Sequence, residues 1–436
     1  MKIEIRNFGP IHKFEVDLTK DLIAVYGKNN VGKSYALSLI YILVKNLISF
    51  QKRLPHNKII IASSDKKNLL GIIAESTASY FTIFFLNNFD DSIKKTFGNN
   101  IINQFTKKNI LISISHKKIN IKIKIDKNLF SKISINYNYA FELKKSIRRK
   151  KYYENENKIT LYLRENSDLE YIIHDFILDK IDNLINEIAT PFFLPASRSG
   201  LYISMNSFNQ IFAELSQERE GIKSKIDIPT YTEPVADFYL NLTKINSHKK
   251  SKKEMINLII EKIENSILNG FIEFDDFQKE LYFYDKKVDL RLDLSRTSSL
   301  VSELAFLVAY LKYIFVDEIS KIILFFEEPE AHLHPEIQVR LIEFLAELTK
   351  IGIKVFFITH SNYIFNKLNN LVLEGKLDNK YAPYIMKQTE NGSDAKLMEI
   401  DELGVEDDNF IDVSEKLFNE RMQIIDKLNE ENNKKK

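Results

Sequence analysis

Apolar positions are patterned along this chain in two ways. In Leu22-Ile23-Ala24-Val25-Tyr26, in Ile322-Ile323-Leu324-Phe325-Phe326 and in Val355-Phe356-Phe357-Ile358 they run unbroken, which predicts buried strands. In Ile110–Ile114, Ile119–Ile125 and Ile133–Tyr137 they alternate with Ser, Asn and Lys. That period of two, cut by short polar turns, predicts an antiparallel meander within residues 60–165. Shorter strands are expected at Ile3-Glu4-Ile5 and at 13–18. Helical spacing follows Ser34 and recurs over 169–188, 253–268 and 302–316, so residues 168–280 read as mostly helical. A charged amphipathic helix beyond 412 ends in a disordered lysine tail.

Two of the buried strands end in polar clusters. After Tyr26 the chain reads GKNNVGKS, with Gly27, Gly32, Lys33 and Ser34 at the spacing of a phosphate-binding loop between strand and helix. Glycines admit close backbone approach, a helix N-terminus favours anions, Lys33 can reach β- and γ-phosphates, and Ser34 can ligate Mg2+. Gly27, Asn29, Asn30, Gly32, Lys33, Ser34 and Tyr35 are therefore the nucleotide-binding candidates here. The strand at 322–326 ends in Glu327-Glu328-Pro329-Glu330, at the sheet edge where ligands of open α/β sheets bind. Glu327 is expected to hold Mg2+ through water, and Glu328 to orient or deprotonate the attacking water. Alone, the same residues would read as a solvated acidic turn. His332 and His334 follow, without further ligands at zinc spacing. The strand at 354–358 delivers His360, where a γ-phosphate sensor is wanted.

Taken in order, NFGPI, GKNNVGKS, EEPEAHLHP and ITHS resemble the ABC-type ATPases of the SMC, RecF and OLD group, above all the compact OLD-like ATPases of bacterial anti-phage systems. The resemblance spans nearly the whole chain. It implies an α/β ABC-ATPase head, a two-lobed sheet core with flanking helices, carrying an inserted β-meander and a helical region. It assigns Glu327 and Glu328 as Walker B acid and catalytic Glu, His334 to the D-loop and His360 as switch histidine, so the catalytic set is Glu328, Lys33 and His360, with Ser34 and Glu327 for the metal. It aligns 294–304 with the signature, whose Ser298 and Ser299 would contact the γ-phosphate held by an opposite subunit. Leu300 stands where the family has glycine, which restricts backbone approach and implies slow or conditional turnover. A helix cap alone would also explain the two serines. Arg6 and Asn7, in the first loop, are nucleotide candidates, although Arg6 fits a surface position as well. Residues 195–200, PASRSG, match an OLD-like motif or a tight turn. No Q-loop glutamine is evident.

The resemblance divides the chain into an N-terminal lobe at 1–55, a lysine-rich β insertion completing it at 56–165, a helical lobe at 166–280, the second half of the head at 281–411, and the tail at 412–436. It implies ATP and Mg2+ as cofactors and at least a head-to-head dimer. It further implies a separate effector, a Toprim or HNH nuclease as in PARIS- and Septu-type systems, since no room remains for a Toprim domain here. An ATP-gated sensor and scaffold under a phage-derived trigger is the resulting expectation. The alternatives are a RecF-like DNA repair ATPase and a scaffold with structural ATP.

Composition adds limits. Among 436 residues, 62 Lys+Arg balance 60 Asp+Glu, so net charge does not announce a nucleic-acid binder. The lysine-rich meander and residues 144–151 fit a solvated face, a nucleic-acid contact or a protein contact, and DNA stays a candidate partner. Absent cysteine excludes disulfides and thiolate chemistry. The start MKIEIRNFGP lacks a signal-peptide core. The stretches 35–50 and 304–316 are interrupted by Lys45 and Lys312 and read as buried helices rather than spans. A cytoplasmic protein with no membrane partner is expected.

Overall fold

The computed structural model describes residues 1–51, 68–99, 101–128, 130–145, 151–163, 169–204, 231–248, 254–316, 321–377, 380–402, 404–406 and 416–426. The expectations for 146–150 and for the terminal lysine tail lie outside the described residues.

The chain opens with β1 (Lys2–Phe8), β2 (Ile11–Asp17), β3 (Leu22–Tyr26) and α1 (Lys33–Gln51). Helices α2 (Leu69–Phe81) and α3 (Asn87–Phe97) precede the meander of β4 (Ile110–His116), β5 (Ile119–Ile125) and β6 (Ser131–Tyr137). A small sheet follows, from β7 (Ala140–Lys145), β8 (Tyr152–Glu154) and β9 (Lys158–Leu163). Then come α4 (Leu169–Asn186), β10 (Thr190–Leu194), α5 (Glu233–Thr243), α6 (Glu254–Ile263), and a second small sheet of β11 (Gly270–Asp275), β12 (Glu280–Asp285) and β13 (Leu290–Asp293). The remainder is α7 (Ser299–Ala309), β14 (Ile322–Glu327), α8 (Pro335–Lys350), β15 (Ile353–Thr359), α9 (Asn362–Leu373), β16 (Tyr381–Thr389) and β17 (Gly392–Leu397).

Eleven strands form one mixed sheet in the order β10-β14-β15-β3-β16-β17-β2-β1-β4-β5-β6. From β10 to β16 the strands are parallel; from β2 to β6 they are antiparallel. The patterning explains the change. Every residue of β3 is buried, as a strand covered by helices on both faces must be. Ile23 and Val25 enter one core with α1 and α4, while Leu22, Ala24 and Tyr26 enter the other with α7, α8 and α9. Each fully buried Ile, Leu or Phe contributes about 2 kcal/mol, so the inner strands hold their ends rigidly. In β5 the isoleucines face the core and Lys122 and Lys124 face out.

Three sequence expectations need correction. Residues 69–97 are helical rather than part of the meander. Leu69, Ile72, Ile73, Ser76, Thr77, Tyr80 and Phe81 are buried at helical spacing, and the Asn68 side chain caps α2 by accepting from Gly71 N–H. Among the described residues, this run, rather than 35–50 or 304–316, is the one long and apolar enough to cross a membrane. It lies against the meander, with Thr77 bonded to Tyr137, and Ser92 accepts from Asn46 of α1. Finally, β10 and β11 interrupt the region read as mostly helical. The five residues of β10 are too few for a clear period, and its pairing with β14 is supplied from far along the chain.

Candidate active site

The loop after β3 is shaped by backbone constraints. Gly27 and Gly32 have φ of +151° and +94°, and a Cβ on them would come within 2.5 Å of Met386 O and 2.6 Å of Pro10 Cγ. Only glycine fits both positions. Asn30 is left-handed as well, with φ of +65°. Val31 is buried and anchors the loop, leaving Lys28, Asn29 and Asn30 as an exposed lip. The first helical hydrogen bond runs from Ala36 N–H to Gly32 O at 3.0 Å. The N–H groups of Lys33, Ser34 and Tyr35 therefore precede the helical ladder, at the positive end of a long helix. The Tyr35 ring packs over Gly9 and Phe97, which leaves its backbone as the part available to a phosphate.

Lys33 is buried and its Nζ donates to Gly27 O and Lys28 O, both at 2.8 Å, and lies 3.3 Å from His360 Nδ1. Burial pulls its pKa down to about 8, against the opposing pull of Glu328 and Glu330. The other ring nitrogen of His360, Nε2, stands 3.3 Å from Glu328 Oε1. One imidazole thus spans the lysine of β3–α1 and the carboxylate after β14, across parallel strands β15 and β14. The His360 contact holds the Glu328 carboxyl below its ordinary pKa, outweighing partial burial.

Glu328 has φ of +44°, a backbone region that residues with side chains avoid, and its N–H donates to Ile358 O at 3.1 Å. That bond anchors the turn while the carboxylate points at His360. Glu327, the last residue of β14, lies near the Ser34 hydroxyl and Ala196 N–H, and burial raises its pKa. Ser34 and Glu327, the two residues expected to share a cation, are neighbours. Together with the glycine cradle, this oxygen donor set fits a Mg2+–phosphate group, because Mg2+ prefers one or two protein oxygens plus phosphate and water.

The third carboxylate has a separate task. Glu330 Oε1 accepts from Thr359 Oγ1 at 2.7 Å and from His360 N–H at 2.6 Å, tying the β14 turn to the end of β15. Burial raises its pKa. Sequence reasoning gave it no individual role, although its place in the acidic turn was a usable signal.

Other candidates sit apart. Arg6 and Asn7 belong to β1, not to a loop. Arg6 is exposed and bonds to Glu4 on the same strand face, the ordinary outcome of charged residues two apart on a strand. The Asn7 side chain is engaged by Asn109 O and Thr106 Oγ1. It is the neighbouring turn, Gly9-Pro10, that touches the phosphate loop. Ser298 caps α7 by accepting from Val301 N–H, and Ser299 O accepts from Ser302 Oγ. Leu300 packs against the second core. His334 caps α8. In PASRSG, Arg198 is fully buried beside Glu303 and behind Glu327, a placement the motif alone did not reveal.

Residues 1–365 match the family described as AAA ATPase domain. Solved structures that resemble this chain include an SmcHead bound to the C-winged helix domain of ScpA, at 12% identity over 92% of this chain and 98% of that one, with a TM-score of 0.43. An SMC head domain from Thermotoga maritima is 9% identical over 92% and 98% of the two chains, with a TM-score of 0.39. The Smc head domain with an extended coiled coil bound to the C-terminal domain of ScpA, from Pyrococcus furiosus, is 10% identical over 98% of each chain, with a TM-score of 0.41. No curated protein sequence matches. The match over residues 1–365 shows that this chain belongs to the AAA ATPase domain family.

Proposed function

We propose that the chain hydrolyses ATP at this edge of the sheet and uses the nucleotide to gate its own assembly. The observation that carries the reading is the line from Lys33 through His360 to Glu328, with Ser34 against Glu327 beside it. Lys33 and the α1 N-terminus bind the phosphates. On binding, Nζ exchanges its two loop carbonyls for phosphate oxygens. Ser34 and Glu327 would hold Mg2+, which would supply charge neutralisation to the bound phosphates. Glu328 orients the attacking water. Its depressed pKa makes it a weak base, which suffices because phosphoryl transfer demands positioning more than full deprotonation. His360 keeps the carboxylate aimed and senses the γ-phosphate.

The hydrogen bonds of Ser298 and Ser299 run within α7, so those residues are free to serve a second copy. We infer a head-to-head dimer with ATP between phosphate loop and signature loop, slowed by Leu300. The motif order supports a finer reading, a sensor and scaffold in bacterial anti-phage defence that controls a separate Toprim or HNH nuclease. The test is the solution mass of Glu328→Gln protein by light scattering, with and without Mg-ATP. Growth with ATP that Lys33→Ala removes is the expected result; a monomer in both conditions would overturn the two-chain site.

A DNA-binding reading is favoured by one observation. Lys124 sits directly opposite Lys132 on β5 and β6, with Lys122 on the same exposed face. Like charges so placed repel, and a phosphate backbone would relieve them.

A further inference from the structure

Arg198 and Glu303 are 105 residues apart and are 0% and 1% exposed. Arg198 Nε donates to Glu303 O at 3.0 Å and lies 3.1 Å from Glu303 Oε2. Its Nη1 donates to Pro195 O at 3.0 Å and, over 3.5 Å, to Glu327 O. The guanidinium stacks 4.8 Å above the Phe326 ring, and Ser199 Oγ donates to Glu303 Oε1. This side chain therefore joins three elements: the loop after β10, the helix α7 and the end of β14. Glu303 lies one turn beyond Ser298 and Ser299 on α7, and Glu327 is the metal-side carboxylate.

Packing alone gives no reason for charge at this point. Around Glu303, α7 is buried and apolar from Leu304 to Ala309. A buried ion pair is commonly replaceable by apolar residues without loss of stability. A purely structural pair would also be saturated with hydrogen bonds, since each missing one is costly in a low-dielectric interior. Here Arg198 Nη2 is buried without a hydrogen-bond partner, and Glu303 Oε2 has only the 3.1 Å ion-pair contact with Nε. The pair thus has one donor in reserve, Nη2, and a small shift of α7 would complete a forked bond from the guanidinium to the Glu303 carboxylate. Such a shift moves the same guanidinium that touches the backbone of Glu327.

We propose that Arg198 and Glu303 are positioning residues that couple the signature end of α7 to the Walker B carboxylates, so that contact by a second copy aligns Glu327 and Glu328 for hydrolysis. This rests on the ATP-gated reading above. Glu328, whose strained backbone is held by its N–H bond to Ile358 O and by Ala331 N–H on its carbonyl, with its carboxylate against His360, is placed to respond to motion of its neighbour Glu327.

The test uses the full chain with Arg198→Met and Glu303→Leu combined, which removes both charges and keeps the volume. Melting temperature and Mg-ATP affinity are expected to match wild type within about threefold in affinity, while kcat falls about tenfold, the size expected when coupling through a two-state element is lost. Ser298→Ala is then expected to lower kcat in the wild-type background and to have little added effect in the double variant. Wild-type kcat in the double variant, or fully additive effects of Ser298→Ala, would overturn the coupling. Should the double variant not fold, Arg198→Lys alone decides. It retains the charge without the fork, and a kcat reduced with unchanged Mg-ATP affinity supports the proposal, whereas an unchanged kcat refutes it. Equal hydrolysis by wild type and Glu328→Gln would instead sink the underlying hydrolysis reading, and the coupling with it.

Discussion

The two ends of the large sheet treat charge in opposite ways. At the parallel end Lys33, Arg198 and Glu303 are buried and Glu330 is half-buried, and each is held by named neighbours. At the antiparallel end Lys122, Lys124 and Lys132 stand in solvent, two of them facing each other across the strands. The residue types overlap, but the consequences do not. A charge taken from water persists only if its partners are fixed, so the parallel end is a set of interlocked side chains that cannot change singly. The lysine face is screened by water and salt and tolerates change. Buried charge marks the chemistry, whereas exposed charge marks at most a surface to be bound.

Three experiments sharpen that contrast. The largest effect is expected at Glu330. Replacing it with Ala strips His360 N–H and Thr359 Oγ1 of their acceptor and costs about 1–3 kcal/mol in stability. It should also lower kcat, because His360 then loses its tie to the β14 turn. Glu330→Gln keeps a carbonyl acceptor and should recover most of both; thermal melts and steady-state hydrolysis would show it, and equal damage by Ala and Gln would break the account.

A smaller effect is expected from pH. Lys33 is pulled down to about 8 by burial in the nucleotide-free protein. Phosphate binds the protonated amine, so below that value the amine is already charged and affinity is flat. Above it, binding must take up a proton, and the dissociation constant rises by up to about tenfold per pH unit. Titration of Mg-ATP affinity from pH 6.5 to 9.5 would check the slope, which Lys33→Met should abolish.

The smallest is on the lysine face. Lys122→Gln with Lys124→Gln should leave stability within about 0.5 kcal/mol, as for surface positions generally. If DNA binds there, the same pair weakens it at low salt and flattens its salt dependence by about two counterions. No change in DNA affinity would assign the lysines to solvation of an edge.

The sequence was most legible where chemistry sits at strand ends. Gly27, Lys33, Ser34, Glu327, Glu328 and His360 each follow an unbroken apolar run, and rigid buried strands converge at one edge, so motif order alone anticipated their neighbourhood. The meander was equally plain from its period of two. What stayed hidden depends on distant partners. Short β10 acquires its place only by pairing with β14, and Arg198 acquires meaning only from Glu303. Helix α2 was legible in principle through its spacing at 69, 72, 73, 76, 77, 80 and 81, but the lysine-rich strands downstream dominated the reading. Arg6, open to a nucleotide or a surface place in the sequence, bonds to Glu4 on its own strand, as strand alternation allows.

The proposed mechanism turns on Glu328, aimed by His360 beside a bound phosphate, as the residue that drives hydrolysis. Its most direct test is steady-state Mg-ATP hydrolysis by wild type and Glu328→Gln protein, with ATP affinity measured on the same samples. Equal binding and a rate reduced about 100-fold in the variant are expected, the lower end of what a positioned acid–base side chain supplies. Equal rates at equal binding would contradict the mechanism.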